Sequence, residues 1–82
     1  MQHKLKIKAK YLLPIILGNK TFELRKDDRN YQVGDYITFE VIDSNNPIYL
    51  KNNYYQITYI LRNTPEYGLV KDYCILAISK VS

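Results

Sequence analysis

Gly18-Asn19-Lys20-Thr21-Phe22-Glu23-Leu24-Arg25-Lys26-Asp27-Asp28-Arg29-Asn30-Tyr31-Gln32-Val33-Gly34-Asp35 is the stretch whose reading decides the fold. From Lys20 to Lys26 the residues alternate with the period of a β-strand, so Thr21, Glu23 and Arg25 share one face and Phe22 and Leu24 the other. The expectation is that the apolar pair anchors this strand while the charged residues form an ordered surface patch able to bind a ligand. Before the strand, Gly18 suits the end of a helix. After it, Asp27 to Gln32 is a polar turn, and Val33-Gly34-Asp35 opens the next strand.

Upstream, His3 to Lys10 alternates Lys4, Lys6, Lys8 and Lys10 with Leu5, Ile7 and Ala9, which predicts a half-buried strand carrying a lysine stripe. Such a stripe also discourages edge-to-edge aggregation. Tyr11 to Gly18 is too apolar for a loop and predicts a helix of two turns, with Pro14 tolerable only near its start. Downstream, Tyr36 to Ile42 predicts a strand with Ile37, Phe39 and Val41 inward, and Asp43 to Pro47 is a turn cluster. Ile48-Tyr49-Leu50 reads equally as a short strand or as part of a hairpin loop. Tyr54 to Arg62 is apolar on both faces, which suits a strand that lies centrally or closes a barrel, and Tyr73 to Lys80 forms the last strand after a loop from Asn63. The fold class that follows is mainly β (α+β), a small pseudobarrel of five to six strands with one short N-terminal helix, in a single domain spanning 1–82.

The chain has 82 residues, 46% of them hydrophobic and 24% charged, a composition of soluble globular domains rather than of disorder. Nine tyrosines read as residues of half-buried strands. The net charge of +4 is uneven: seven of the twelve basic residues but only one acid precede Asp27, an asymmetry that favours a polyanionic partner. Cys74 is alone in an apolar run, so no intrachain disulfide can form, and a small core residue in a reducing, cytoplasmic setting is expected. The first residues carry lysines without the apolar core of a signal peptide, and no run approaches the ~20 apolar residues of a membrane span. His3 and Cys74 are too few and too far apart for zinc, Asp27-Asp28 between Lys26 and Arg29 reads as a solvated turn, and the glycines form no phosphate loop. No metal or cofactor is therefore expected.

The order of strand, Gly-terminated helix, Gly18-x-Lys20-x-x-Glu23-x-Arg25, polar turn and Val33-Gly34-Asp35 resembles the ASCH domains of the PUA-like superfamily. More narrowly it is similar to a small family of uncharacterised bacterial and phage ASCH-like domains, with Lys20-Thr-Phe-Glu-Leu-Arg-Lys26, Asp28-Arg-Asn-Tyr31, Tyr59-Ile-Leu61 and Gly68-Leu69 leading to Tyr73. The resemblance covers nearly the whole chain.

It implies a PUA-like pseudobarrel whose cleft between helix and strands binds RNA or a nucleoside ligand; apart from the resemblance, a monomer is the expected state. Carried over by position, Lys20, Glu23 and Arg25 would line that cleft, with Lys26, Arg29 and Tyr31 as further nucleic-acid-binding residues. Arg25 offers a planar fork to phosphate or a base edge, Lys20 a point charge, Glu23 an acceptor, and Tyr31 a ring for stacking. The alternative is a small amidohydrolase, because some relatives act on acetylated cytidine through a threonine three positions after the equivalent of Lys20. That position here is Glu23, which leaves a Lys20–Glu23 acid–base pair as the remaining route to catalysis. A third alternative is a protein-interaction domain with Glu23 and Arg25 paired across the sheet.

Overall fold

The computed structural model describes residues 1–51 and 53–81. Strands β1 (Gln2–Ile7), β2 (Phe22–Lys26), β3 (Tyr36–Val41), β4 (Tyr54–Leu61) and β5 (Tyr73–Lys80) are joined by helices α1 (Ala9–Ile16) and α2 (Ile48–Lys51) and a 3-10 turn at Pro65–Tyr67. They build one five-stranded sheet in the order β1-β3-β4-β5-β2. The mainly β, pseudobarrel-like architecture agrees with the sequence reading, and β4 is the middle strand of the sheet, although its outer face leaves Tyr59 61% exposed. β1 runs parallel to β3, with Leu5 opposite Phe39, and the other pairings are antiparallel. A bulge between Ile57 and Tyr59 shifts the β4–β5 register. That extra residue bends β4 and strengthens the local twist, which helps to curl the sheet.

β1 alternates strictly, with His3, Leu5 and Ile7 buried and Gln2, Lys4 and Lys6 exposed. It stops sooner than the lysine stripe suggests. Lys8 is the N-cap residue of α1, so Ala9 and Lys10 belong to the helix. The Ala9 N–H donates to Asp43 Oδ1 at 2.8 Å, so a carboxylate from the β3–α2 turn replaces the local cap that Lys8 lacks. Because the helix begins at Ala9, Pro14 is interior rather than near the start. Its missing N–H leaves the Lys10 carbonyl without the usual bond in the fourth-residue ladder. The end is well specified: Gly18 takes φ +81°, its N–H reaches the Ile15 carbonyl at 3.1 Å, and Asn19 N–H reaches the Pro14 carbonyl at 3.0 Å. This double bond pattern is a Schellman cap, and it aims the chain into β2.

Leu12 and Ile15 of α1 join Leu5, Ile37, Phe39, Tyr55, Ile57, Leu76 and Ile78 in the core, so the helix closes one end of the curled sheet. Ile48–Lys51 is one helical turn, neither of the two conformations its sequence suggested. Asn46 Oδ1 accepts the Ile48 N–H at 3.1 Å at its start, and Tyr49 is partly buried against the core. A polar side chain thus nucleates a turn that composition alone reads as strand or loop.

The chief correction concerns β2. Glu23 is 6% exposed, whereas Phe22 and Leu24 are 46% and 54% exposed, so the strand presents its apolar side to solvent and its charged side inward. Pairing with β5 sets this: Glu23 lies opposite Leu76 and Arg25 opposite Cys74, both fully buried. Alternation defines two faces but does not say which is inside.

Candidate functional site

β1 and β2 occupy the two edges of the sheet, and the curl brings these edges toward each other across a seam. Side chains bridge it. Arg25 Nη2 donates to the Lys6 carbonyl, and Arg29 Nη1 donates to the Lys4 carbonyl at 3.1 Å, so guanidinium groups from the β2 side serve the unpaired carbonyls of β1. Both arginines therefore have a structural task beyond any ligand they contact.

Glu23 lies beneath this bridge, between two cations. Lys20 Nζ is 3.4 Å from Oε1, and Arg25 Nε is 3.0 Å from Oε2. The Arg25 Nε–H is not aimed at the carboxylate, so that contact is an ion pair without a directed hydrogen bond. A buried carboxylate is tolerated because both oxygens face positive charge. The Lys20 ammonium also lies 5.4 Å from the ring centres of Tyr11 and Phe22, which holds it at the mouth of the seam.

An open groove of about 410 Å³ runs along the seam. Lys6, Ile7, Lys8 and Tyr11 line it from the β1–α1 side and Glu23, Leu24, Arg25 and Lys26 from β2, with Ile42 and Tyr73 completing it. Four cations and one carboxylate thus line it. Among the described residues, Lys6, Lys8 and Lys26 have no carboxylate within ion-pairing reach. Of the six residues expected from sequence, Glu23, Arg25 and Lys26 line the groove, Lys20 reaches it through Glu23, and Arg29 lies along the same seam at the Lys4 carbonyl. Tyr31 does not belong there. It is 1% exposed, its ring meets His3 edge-on at 4.8 Å, and burial pushes its phenol above the usual range, so it cannot stack on an external base.

Sequence reasoning missed Lys6, Lys8 and Tyr11 as groove residues. The lysine alternation was visible, but only the seam shows that β1 faces β2. It also missed the buried cluster at Asp35. His3 Nε2 lies 2.8 Å from Asp35 Oδ2, Gln32 N–H donates to the same oxygen at 3.1 Å, and the Met1 amine approaches Oδ1 at 3.2 Å. The His3 hydrogen bond, helped by the Gln32 amide and the Met1 amine, holds the Asp35 carboxyl below its ordinary 3.8 against the opposing effect of burial. This cluster ties the opening of β3 to β1. On the other side of the seam strands, Asp27 receives Arg62 through two hydrogen bonds of 2.7 and 3.2 Å, so the first acid of the Asp27-Asp28 pair braces the turn.

A second depression of about 440 Å³, lined by residues including Thr38, Glu40, Asn45, Asn46, Tyr49 and Asn53, has two of its amide side chains engaged internally. Asn53 Nδ2 donates to the Phe39 carbonyl at 2.9 Å and Asn46 caps α2. The seam is the better-equipped site.

A search of curated proteins finds no match. Among solved structures, the chain is similar to one described as "Crystal structure of hypothetical protein PH0355", with 17% identity and a TM-score of 0.69 over 99% of this chain and 100% of that one. At that identity the likeness speaks for the fold alone. The family model described as "Domain of unknown function (DUF3850)" matches residues 2–78, and the chain belongs to that family.

Proposed function

We propose that the seam groove binds RNA, or a nucleotide, through its phosphates. The observation that carries this reading is the convergence of Lys6, Lys8, Arg25 and Lys26 on one groove whose single carboxylate is already held by Lys20 and Arg25. Exposed ammonium groups without internal partners attract a phosphodiester chain, and releasing its counterions favours binding. Tyr11, on the groove margin and half exposed, offers a ring against which a base can lie. The resemblance to ASCH and PUA-like domains points the same way. In this reading Arg25 and Arg29 mainly shape the seam, and the lysines meet the ligand.

The amidohydrolase alternative draws less from this geometry. Each oxygen of Glu23 already faces a cation, an arrangement that fixes the carboxylate rather than presenting it to a substrate.

Fluorescence anisotropy with a single-stranded RNA and a structured RNA, each at about 50 and 200 mM salt, tests the proposal. Three phosphate contacts predict an affinity loss of about 20-fold over that range for a single strand. Joint substitution Lys6→Ala, Lys8→Ala and Lys26→Ala is expected to flatten that dependence while leaving the fold intact. Absence of binding at low salt, or binding indifferent to the triple substitution, overturns the reading.

A further inference from the structure

The exposed apolar side of β2 continues across its neighbours. The register places Phe22 beside Ala77 and Ala77 beside Tyr59 in one cross-strand row, and Leu24 beside Ile75 and Ile75 beside Leu61 in the next. Neither row contains a charge. At the start of β5, Tyr73 joins Leu69 and Val70 around a depression of about 360 Å³ that also touches Leu24. Tyr59 is 61% exposed, Val70 68% and Tyr73 41%, alongside the half-exposed Phe22 and Leu24.

From this we infer that the outer face of β2, β5 and β4 is the interface of a homodimer; it borders the seam groove at Leu24 and Tyr73, while Phe22, Tyr59 and Val70 lie outside that groove. The area fits a second copy. An aromatic side chain carries about 150–250 Å², so the three aromatics leave roughly 300 Å² uncovered, and Leu24 with Val70 bring the total to roughly 400–500 Å². A standard interface takes about 800 Å² per partner, of which about 65% is apolar in homodimers, or roughly 500 Å². This patch supplies that apolar centre. An uncharged sheet face complements itself, because two such faces pack at about 10 Å with interdigitated side chains. Its rim carries both signs, with exposed Lys71 beside exposed Asp72 and Glu66 nearby, so a two-fold arrangement can set opposite charges against each other. The two rows themselves hold no charge, and Lys26, opposite Tyr73, stands at their edge. Where the sequence reading expects a monomer, the reversed face of β2 supplies the reason for a pair.

Sedimentation velocity on the whole chain, from about 1 to 500 µM, tests the inference. Expected is a concentration-dependent rise from the 9.7 kDa monomer to twice that mass. Tyr59→Glu combined with Val70→Glu is expected to weaken association at least 100-fold while retaining the far-ultraviolet circular dichroism of the wild type, and Tyr59→Phe is expected to associate as the wild type does. As a check that needs no variant, amide chemical shifts of the wild type should change with concentration at Phe22, Leu24, Tyr59 and Tyr73. A wild-type chain that remains monomeric at 500 µM overturns the inference. So does a dimer whose shift changes map elsewhere or whose association survives the double substitution.

Discussion

Arg25 donates from its guanidinium to the backbone carbonyl of Lys6, so a side chain of one edge strand closes onto the main chain of the other. The same guanidinium neutralises Glu23, which has one side chain serving both the shape of the seam and its charge balance.

Removing that side chain should therefore cost more than a surface ion pair. Arg25→Met leaves Glu23 buried with Lys20 alone and the Lys6 carbonyl without its donor. A loss of about 2 kcal/mol is expected in urea unfolding, less than for a fully buried pair because Arg25 retains some solvent contact. Combining Arg25→Met with Glu23→Leu should recover part of the loss. A double substitution as costly as the sum of the singles would show that the two side chains act separately.

Acid should weaken the protein through Asp35. Its carboxyl titrates lower in the folded chain than its ordinary 3.8, so the unfolded chain binds the proton more readily. The carboxylate's contribution is therefore fully present above about pH 4 and is lost as pH falls through the folded value. Urea midpoints measured from pH 6 to pH 2 should fall in the lower part of that range. In Asp35→Asn the fall should be shallower, and the protein should already be less stable at pH 6, because His3 and the Gln32 amide lose a charged partner.

Cys74 should behave as an inert core residue. It is fully buried, and burial with Asp27 nearby pushes its thiol up to about 11. A thiol-reactive chromogen at pH 8 is expected to leave it unmodified in the native protein and to react promptly in urea. Rapid modification under native conditions would mean that β5 opens readily at its start.

Capping from a distance makes its own prediction. Asp43→Ala removes the acceptor for the Ala9 N–H and should destabilise the protein by about 1 kcal/mol, with Asp43→Asn costing less. Thermal melts of the two variants separate these outcomes. Equal stability of Asp43→Ala and the wild type would show that solvent serves the helix start as well.

Much of the architecture was legible because it rests on local patterns. The periods of β1, β3, β4 and β5, the glycine that ends α1 and the turn clusters each follow from residues within one turn or one strand of each other. What was not legible depends on partners distant in the chain. Glu23 points inward because β5 presents Leu76 and Cys74 on that side, and Pro14 becomes interior because Asp43 allows the helix to start at Ala9. The candidate site divides in the same way. Glu23, Arg25 and Lys26 were found from their own segment, whereas Lys6, Lys8 and Tyr11 required knowing that the two edges face each other. Tyr31 was misread because a tyrosine in a polar turn looks accessible until His3 is seen against its ring.

The strand order carries a consequence for how the molecule is made. β1 and β2, first in the chain, have no ladder between them, and each waits for a strand synthesised later: β1 for β3, and β2 for β5 at the far end. A nascent chain that has reached Lys26 therefore holds two strands with nothing to pair with. Only when Tyr73 to Lys80 emerges can β2 dock and Arg25 find Lys6. Folding dominated by such non-local pairing is slow for a domain of this size, on the order of milliseconds to seconds, and the lysines of β1 keep its unpaired edge soluble during the wait.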